Sequence, residues 1–298
     1  MPLPIPAPQA EGHTTGTSHP LYWCRYAPGA PRGRLLMLHG GPGADHAYML
    51  PQMLDLAADR ECLFYDQRGG GRSKTDDRTP ITWRTHVEDL TAVVAELNPG
   101  PLTLVGYSWG GMLALLYAIE ATAGRAGPVP DRLVLLDPAP LSRTWRMQFE
   151  AEFARRQASQ EIAMMREELA SSGLRERDPD AYRQRTFELS VAGYFADPAR
   201  ARDLTPFRVT GRVQKEVWDS LADFDLIPAL GDLRIPALVV HGRQDPIPLE
   251  SSAAAAAALA AETLWLDDCG HVPYVERGDA LFPALRLFLD DTESLVNH

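Results

Sequence analysis

Apolar residues come in short bursts along this chain, with longer amphipathic stretches between them. Arg34–His39 ("RLLMLH"), Cys62–Asp66 ("CLFYD"), Leu102–Tyr107 ("LTLVGY") and Arg132–Asp137 ("RLVLLD") are nearly continuous apolar runs. Ala237–His241 ("ALVVH") and Thr263–Leu266 ("TLWL") continue the series. Such runs predict strands buried on both faces, as in a parallel sheet covered by helices. Helical patterns fill the gaps at about Ala47–Ala58, Arg84–Leu97, Gly110–Thr122, Glu250–Ala261 and Ala280–Leu289. The alanine run Ala253–Ala258 belongs to one of these helices, since alanine has the highest helix propensity. The expected class is α/β: a mostly parallel central sheet flanked by helices.

The alternation breaks between about Ala139 and Ile227. There "TWRMQFEAEFARRQASQEIAMMREELASSG" predicts one long helix ended by Ser172-Gly173. "DPDAYRQRTFELSVAGYF" predicts a second helix opening on an Asp-Pro cap, and "QKEVWDSLADF" a third. The chain therefore divides into a first core part at 1–138, an inserted helical cap at 139–228, and a second core part at 229–298. No internal repeat is present.

Composition narrows the partners. The 298 residues are 45% hydrophobic and 23% charged, which fits a soluble globular protein. A formal net charge of -11 argues against a nucleic-acid partner, because phosphate contacts need clustered Lys and Arg. The N-terminal "MPLPIPAPQAEGHTTG" lacks a basic start and an apolar core, so it predicts a loose arm and not a signal peptide. No apolar run reaches the roughly 18 residues of a membrane span. Cys24, Cys62 and Cys269 form no CxxC pair, which suits a reducing, cytoplasmic setting. Cys269 stands close to His271, but one Cys and one His make no zinc site. No metal or organic cofactor is expected.

The chemistry concentrates at "LVGYSWGG". Gly106-Tyr107-Ser108-Trp109-Gly110 joins a predicted strand directly to a predicted helix. That is the setting of a nucleophile elbow, with glycines allowing a strained turn that lifts the Ser108 hydroxyl above the strand ends. The helix N-terminus beneath it favours developing negative charge. The bland alternative is an ordinary turn with a helix-capping serine.

A serine hydroxyl needs a base to take its proton, and that base needs an acid to hold its tautomer. "ALVVHGRQDPIP" places Asp245 after one strand, and "TLWLDDCGHVPYVE" places His271 after the next. The order Ser, Asp, His is that of α/β-hydrolases. Asp137, Asp267 and Asp268 also end strands, and Asp137 is the main competitor; the turn between Gly242 and Pro246 favours Asp245. His39 and His241 end strands and are expected to satisfy local hydrogen bonds, while His13, His19 and His298 lie near the termini. Preorganised donors for an oxyanion come from "HGGPG", His39–Gly43, so Gly41 N–H and Trp109 N–H form the natural pair.

"HGGPG", "DQRGGGRS" (Asp66–Ser73), "GYSWGG" and the "HGRQD…GH" pair together resemble the proline iminopeptidase family of serine α/β-hydrolases. The resemblance covers about Gly33–Asp137 and Ile235–Glu276, the scaffold and not the cap. It implies an aminopeptidase that releases an N-terminal proline or another small residue from peptides. It also implies that Asp66 and Arg68 brace the loops around the site. Family members hold the substrate amine with cap carboxylates, one of them in a Glu-Asn-His-Tyr-Phe-like segment. Here "SVAGYF" stands in that place, with Val191 where the Glu would fall. Glu188, one turn earlier, is a substitute candidate, as are Glu150, Glu152 and Glu161. Tyr194 and Phe195 are candidate walls of a substrate pocket, although cap aromatics at helical spacing are commonly core. A carboxylesterase or amidase on a small uncharged substrate is the alternative enzyme, and a catalytically inactive binding protein the alternative from another class.

Overall fold

All six apolar runs become strands, and two more precede them. In the computed structural model, which describes residues 3–97 and 100–291, the strands are β1 (Ala10–His13), β2 (Tyr22–Tyr26), β3 (Arg34–Leu38) and β4 (Glu61–Tyr65). They continue with β5 (Thr103–Tyr107), β6 (Arg132–Leu136), β7 (Ala237–Gly242) and β8 (Glu262–Leu266). His298 lies outside the described residues. The strands form one sheet in the order β1-β2-β4-β3-β5-β6-β7-β8. β1, β2 and β4 pair antiparallel, and every pairing from β4 through β8 is parallel.

The loose N-terminal arm predicted from the sequence is corrected over Ala10–His13. That segment pairs in register with Tyr22–Tyr26, because the edge of β2 offers unpaired backbone groups. Thr15 and Gly16 N–H groups then donate to the Glu96 carboxylate.

The helices are α1 (Trp83–Leu97), α2 (Trp109–Thr122), α3 (Arg143–Gln157), α4 (Gln160–Ser171), α5 (Leu174–Arg177) and α6 (Pro179–Val191). They continue with α7 (Gly211–Ser220), α8 (Ile227–Leu230), α9 (Leu249–Leu259), α10 (Pro273–Glu276) and α11 (Gly278–Asp290). The helix predicted at Ala47–Ala58 is instead two 3-10 segments, Ala47–Met49 and Gln52–Ala58. Pro51 between them has no N–H to continue a helical ladder. The single long cap helix also breaks. Ser159 sits between α3 and α4 with extended backbone, and its hydroxyl accepts the Ile162 N–H, an N-cap that starts a second helix.

Alternate side chains of each inner strand enter opposite layers. Leu36, Leu38, Leu104, Leu133 and Leu135 pack with α1 and α2. Leu35, Met37, Val105, Val134 and Leu136 pack with Met49, Met53 and α11. α2 is buried almost all round, so it fixes the end of β5 rigidly. The connections from β3 and β5 leave in opposite directions, since β3 leads to β4 on one side and β5 to β6 on the other. Loops diverge at such a reversal and open a crevice at the strand ends. Between β6 and β7, helices α3, α6 and α7 contribute residues to the wall of this crevice.

Candidate active site

Ser108 occupies the turn between β5 and α2 with φ 53° and ψ -118°, a left-handed conformation that is strained for a residue with a Cβ. The turn is tight enough to demand glycine beside it: a Cβ on Gly110 would lie 2.0 Å from the Leu38 carbonyl oxygen. The Ser108 N–H is held by the Leu136 carbonyl at 2.9 Å. These contacts aim the hydroxyl into the crevice.

His271 comes from the loop after β8, and Asp245 from the turn after β7. His271 Nε2 accepts from Ser108 Oγ at 2.9 Å, and His271 Nδ1 donates to Asp245 Oδ2 at 2.7 Å. Asp245 Oδ1 accepts the Ile247 N–H at 2.7 Å, and the Asp245 N–H closes its turn on Gly242 O at 2.9 Å. Burial alone would raise the Asp245 pKa, but His271 and the Ile247 N–H hold it below the ordinary carboxylate value. Asp137 makes no hydrogen bond to His271. Its Oδ1 accepts the Gly242 N–H at 2.8 Å, so geometry joins Asp245, not Asp137, to the histidine. Asp267 and Asp268 lie on the exposed turn after β8.

Gly41 adjoins Ser108 in the cavity wall, and its N–H has no acceptor among the described residues. Trp109 opens α2, so its N–H is one of the donors left unpaired at a helix start. Gln67 ties these two segments together, a role the sequence reading missed. Its Nε2 donates to His39 O at 2.8 Å, its N–H donates to His39 Nε2 at 3.0 Å, and its Oε1 accepts the Trp109 indole N–H at 2.9 Å. The available signal was its place in "DQRG". Asp66, next to it, accepts from His46 and from the Arg72 N–H. Arg68 pairs with Asp89.

A cavity of about 320 Å³ opens beside Ser108 and His271, within the range of small-molecule pockets. Phe153, Phe187, Val191, Tyr194 and Phe207 give it an aromatic and aliphatic wall, and Ser190 and Gln214 add polarity. No carboxylate lines it among the described residues. A larger cavity of about 950 Å³ shares Phe187, Phe207 and Val209 with it but contains neither Ser108 nor His271.

Two of the cap candidates need correction. Glu188 does not face this cavity. α6 presents Phe187, Ser190 and Val191 to it, an i, i+3, i+4 face, and Glu188 is rotated off that face. Its carboxylate is taken by Gln184 at 3.0 Å and by Arg185, both one turn back on the same helix. Phe195 is buried in the core layer under the cap and does not line the cavity. Glu152 is paired with Arg155 and Arg156, Glu150 with Arg146, and Glu161 lies on the exposed start of α4. Tyr194 does line the cavity.

The model of the alpha/beta hydrolase family matches residues 35–284. The proline iminopeptidase of Lactobacillus crispatus is 28% identical over 272 residues, covering 86% of this chain and 89% of that protein. The crystal structure of a proline iminopeptidase from Mycobacterium smegmatis superposes with a TM-score of 0.69 at 19% identity, over 96% of this chain and 99% of that one. An enol-lactonase from Burkholderia xenovorans superposes with a TM-score of 0.63 at 20% identity, over 94% and 100% of the two chains. At these structural identities the likeness is one of fold. No helix among the described residues is long and apolar enough to cross a membrane.

Proposed function

The chain belongs to the alpha/beta hydrolase family, and we propose that it is a serine hydrolase working by acyl transfer on a small, uncharged acyl group. The observation that carries this reading is the unbroken hydrogen-bonded line from Asp245 through His271 to Ser108, opening into a cavity that no carboxylate lines among the described residues. Ser108 Oγ attacks the substrate carbonyl while His271 Nε2 takes its proton. Gly41 and Trp109 N–H groups receive the oxyanion. His271 returns the proton to the leaving group, then activates a water that releases the acyl group from Ser108. Asp245 keeps Nδ1 protonated and Nε2 free to accept.

The apolar wall supports a neutral substrate. An ammonium buried against Phe187, Val191 and Tyr194 would lose its hydration without gaining a counter-charge, a cost of several kcal/mol. A neutral ester, lactone or blocked amide avoids that cost. The second reading is an aminopeptidase releasing N-terminal proline, which the curated relative and the shared motifs favour.

The deciding comparison is turnover of a p-nitrophenyl ester, a prolyl-arylamide and its N-acetylated form. The proposal expects the ester and the blocked amide to be cleaved at least as well as the free amine. A strict free-amine requirement reverses the order of the two readings. Ser108→Ala should lower turnover of the best substrate by about 10⁴-fold or more and abolish labelling by an organophosphonate. Failure of the wild-type protein to label at all would support an inactive binding protein.

A further inference from the structure

Asp137 ends β6 directly beside the acid of the proposed triad. It is fully buried and held at φ 41° by its own N–H, which donates to Val240 O at 2.9 Å. Oδ1 accepts the Gly242 N–H. Oδ2 is buried and has no N–H or O–H donor among the described residues. The Asp245 carboxylate, itself an acceptor, lies beside Asp137. One oxygen of each acid and one ring nitrogen of His241 all lie within 4.8 Å of one another. Two neighbouring carboxylates can hydrogen-bond to each other only with a proton between them.

Two histidines adjoin the pair: His271 bonds to Asp245, and His241 lies 3.8 Å from Asp137 Oδ1 and 3.9 Å from Asp245 Oδ2. His241 Nε2 donates to Ile247 O at 3.1 Å, and its Nδ1 accepts from Ser252 Oγ at 2.9 Å. Burial favours this neutral imidazole, and with both ring nitrogens so engaged neither is free for a metal ion. Tyr107, Tyr274 and Cys269 face the same spot, and burial keeps each of them protonated. Glu276 adds a further acid. Two buried carboxylates under these conditions share one proton. Asp245 already accepts from Ile247 and His271, whereas Asp137 accepts from Gly242 alone. The proton therefore belongs to Asp137, whose carboxyl is pushed well above the ordinary range by burial and by Asp245.

We propose that Asp137 is a protonated acid that donates a hydrogen bond to Asp245 and so positions the Asp245–His271 pair. The proton stays on Asp137 Oδ2. One negative charge, centred on Asp245, serves the histidine, and the third donor fixes the orientation of that carboxylate. Asp137 is a positioning residue, and its role in turnover rests on the triad reading above.

Two variants test it, because asparagine preserves a neutral donor and alanine removes it. Wild-type protein near neutral pH should show an infrared carbonyl band of a protonated carboxylic acid that Asp137→Asn removes. Glu276, pushed up to about 7 by burial, can add its own band, which Glu276→Gln assigns separately. With the p-nitrophenyl ester, Asp137→Asn should leave the acid limb of the kcat/KM profile in place. Asp137→Ala should move that limb to higher pH and lower kcat roughly tenfold, the rate equivalent of one buried hydrogen bond. The proposal is overturned if Asp137→Asn removes no band. It is also overturned if that variant shifts the limb down by about one unit or more, as loss of a full charge would. Should the protein cleave no substrate, the triad reading fails while the infrared result still decides Asp137.

Discussion

Tyr194 of the cap lies over His271 of the core, ring centroids 5.1 Å apart and planes 29° apart, and its carbonyl accepts the His271 N–H at 2.7 Å. The cap therefore helps to place the proposed base as well as to roof the cavity. Gly270 makes the approach feasible, since a Cβ there would lie 2.2 Å from the Tyr194 carbonyl oxygen. Glu276 completes the join by accepting the Ala196 N–H at 2.7 Å and the Gly270 N–H at 2.9 Å.

Removing the ring while keeping the backbone contact isolates the stack. Tyr194→Ala should lower kcat by roughly 10- to 100-fold, because small displacements of a reacting group are costly. Tyr194→Phe should stay near wild type, as the hydroxyl takes no part in the stack. Equal steady-state rates for the alanine variant and wild type would show that the ring does not orient His271.

Val191 forms part of the apolar wall of the cavity. Val191→Glu puts an acid on the cavity face of α6, where an ammonium would find a partner. The ratio of prolyl-arylamide to N-acetylprolyl-arylamide turnover should rise at least tenfold. No change in that ratio would mean that the cavity wall does not select charge.

Gln67 bridges the Gly41 loop and the Trp109 turn. Gln67→Leu strands the buried Trp109 indole N–H and the His39 carbonyl, at about 1–3 kcal/mol each. The melting temperature should drop by several degrees, and kcat should fall more than KM changes. Steady-state kinetics with calorimetry check both, and unchanged kcat would confine Gln67 to stability.

His46 and Asp66 give stability a defined pH window. Burial disfavours the His46 imidazolium, but its bonds to Asp66 and Cys24 outweigh this and raise its pKa from 6.5 to about 10. A raised pKa contributes stability that is fully present below pH 6.5 and lost as pH climbs through about 10. His46→Gln should melt well below wild type at pH 6, and the gap should close toward pH 10. A gap independent of pH would refute this linkage.

The strand-turn-helix around Ser108 was legible because its causes are local: an apolar run, glycines that permit the turn, and a helix-forming sequence after it. The same holds for the Asp178 cap of α6, whose side chain accepts the Ala181 N–H at 3.0 Å. The N-terminal strands were missed because Ala10–His13 is held by its partner strand and not by its own pattern. The break at Ser159 was hidden inside a stretch whose helical composition runs on either side of it.

By itself, then, the sequence determined the chain order of the six parallel strands, the elbow at Ser108 and the short set of acids and histidines able to serve it. Those follow from backbone propensity and residue type. Tertiary structure alone decided that Asp245 reaches His271 while Asp137 backs Asp245, since that depends on turns from separate strands meeting in space. It also decided that Val191 faces the cavity while Glu188 is held by Gln184 and Arg185. Which side of a helix meets a site is fixed by packing, and packing joins residues far apart in the chain.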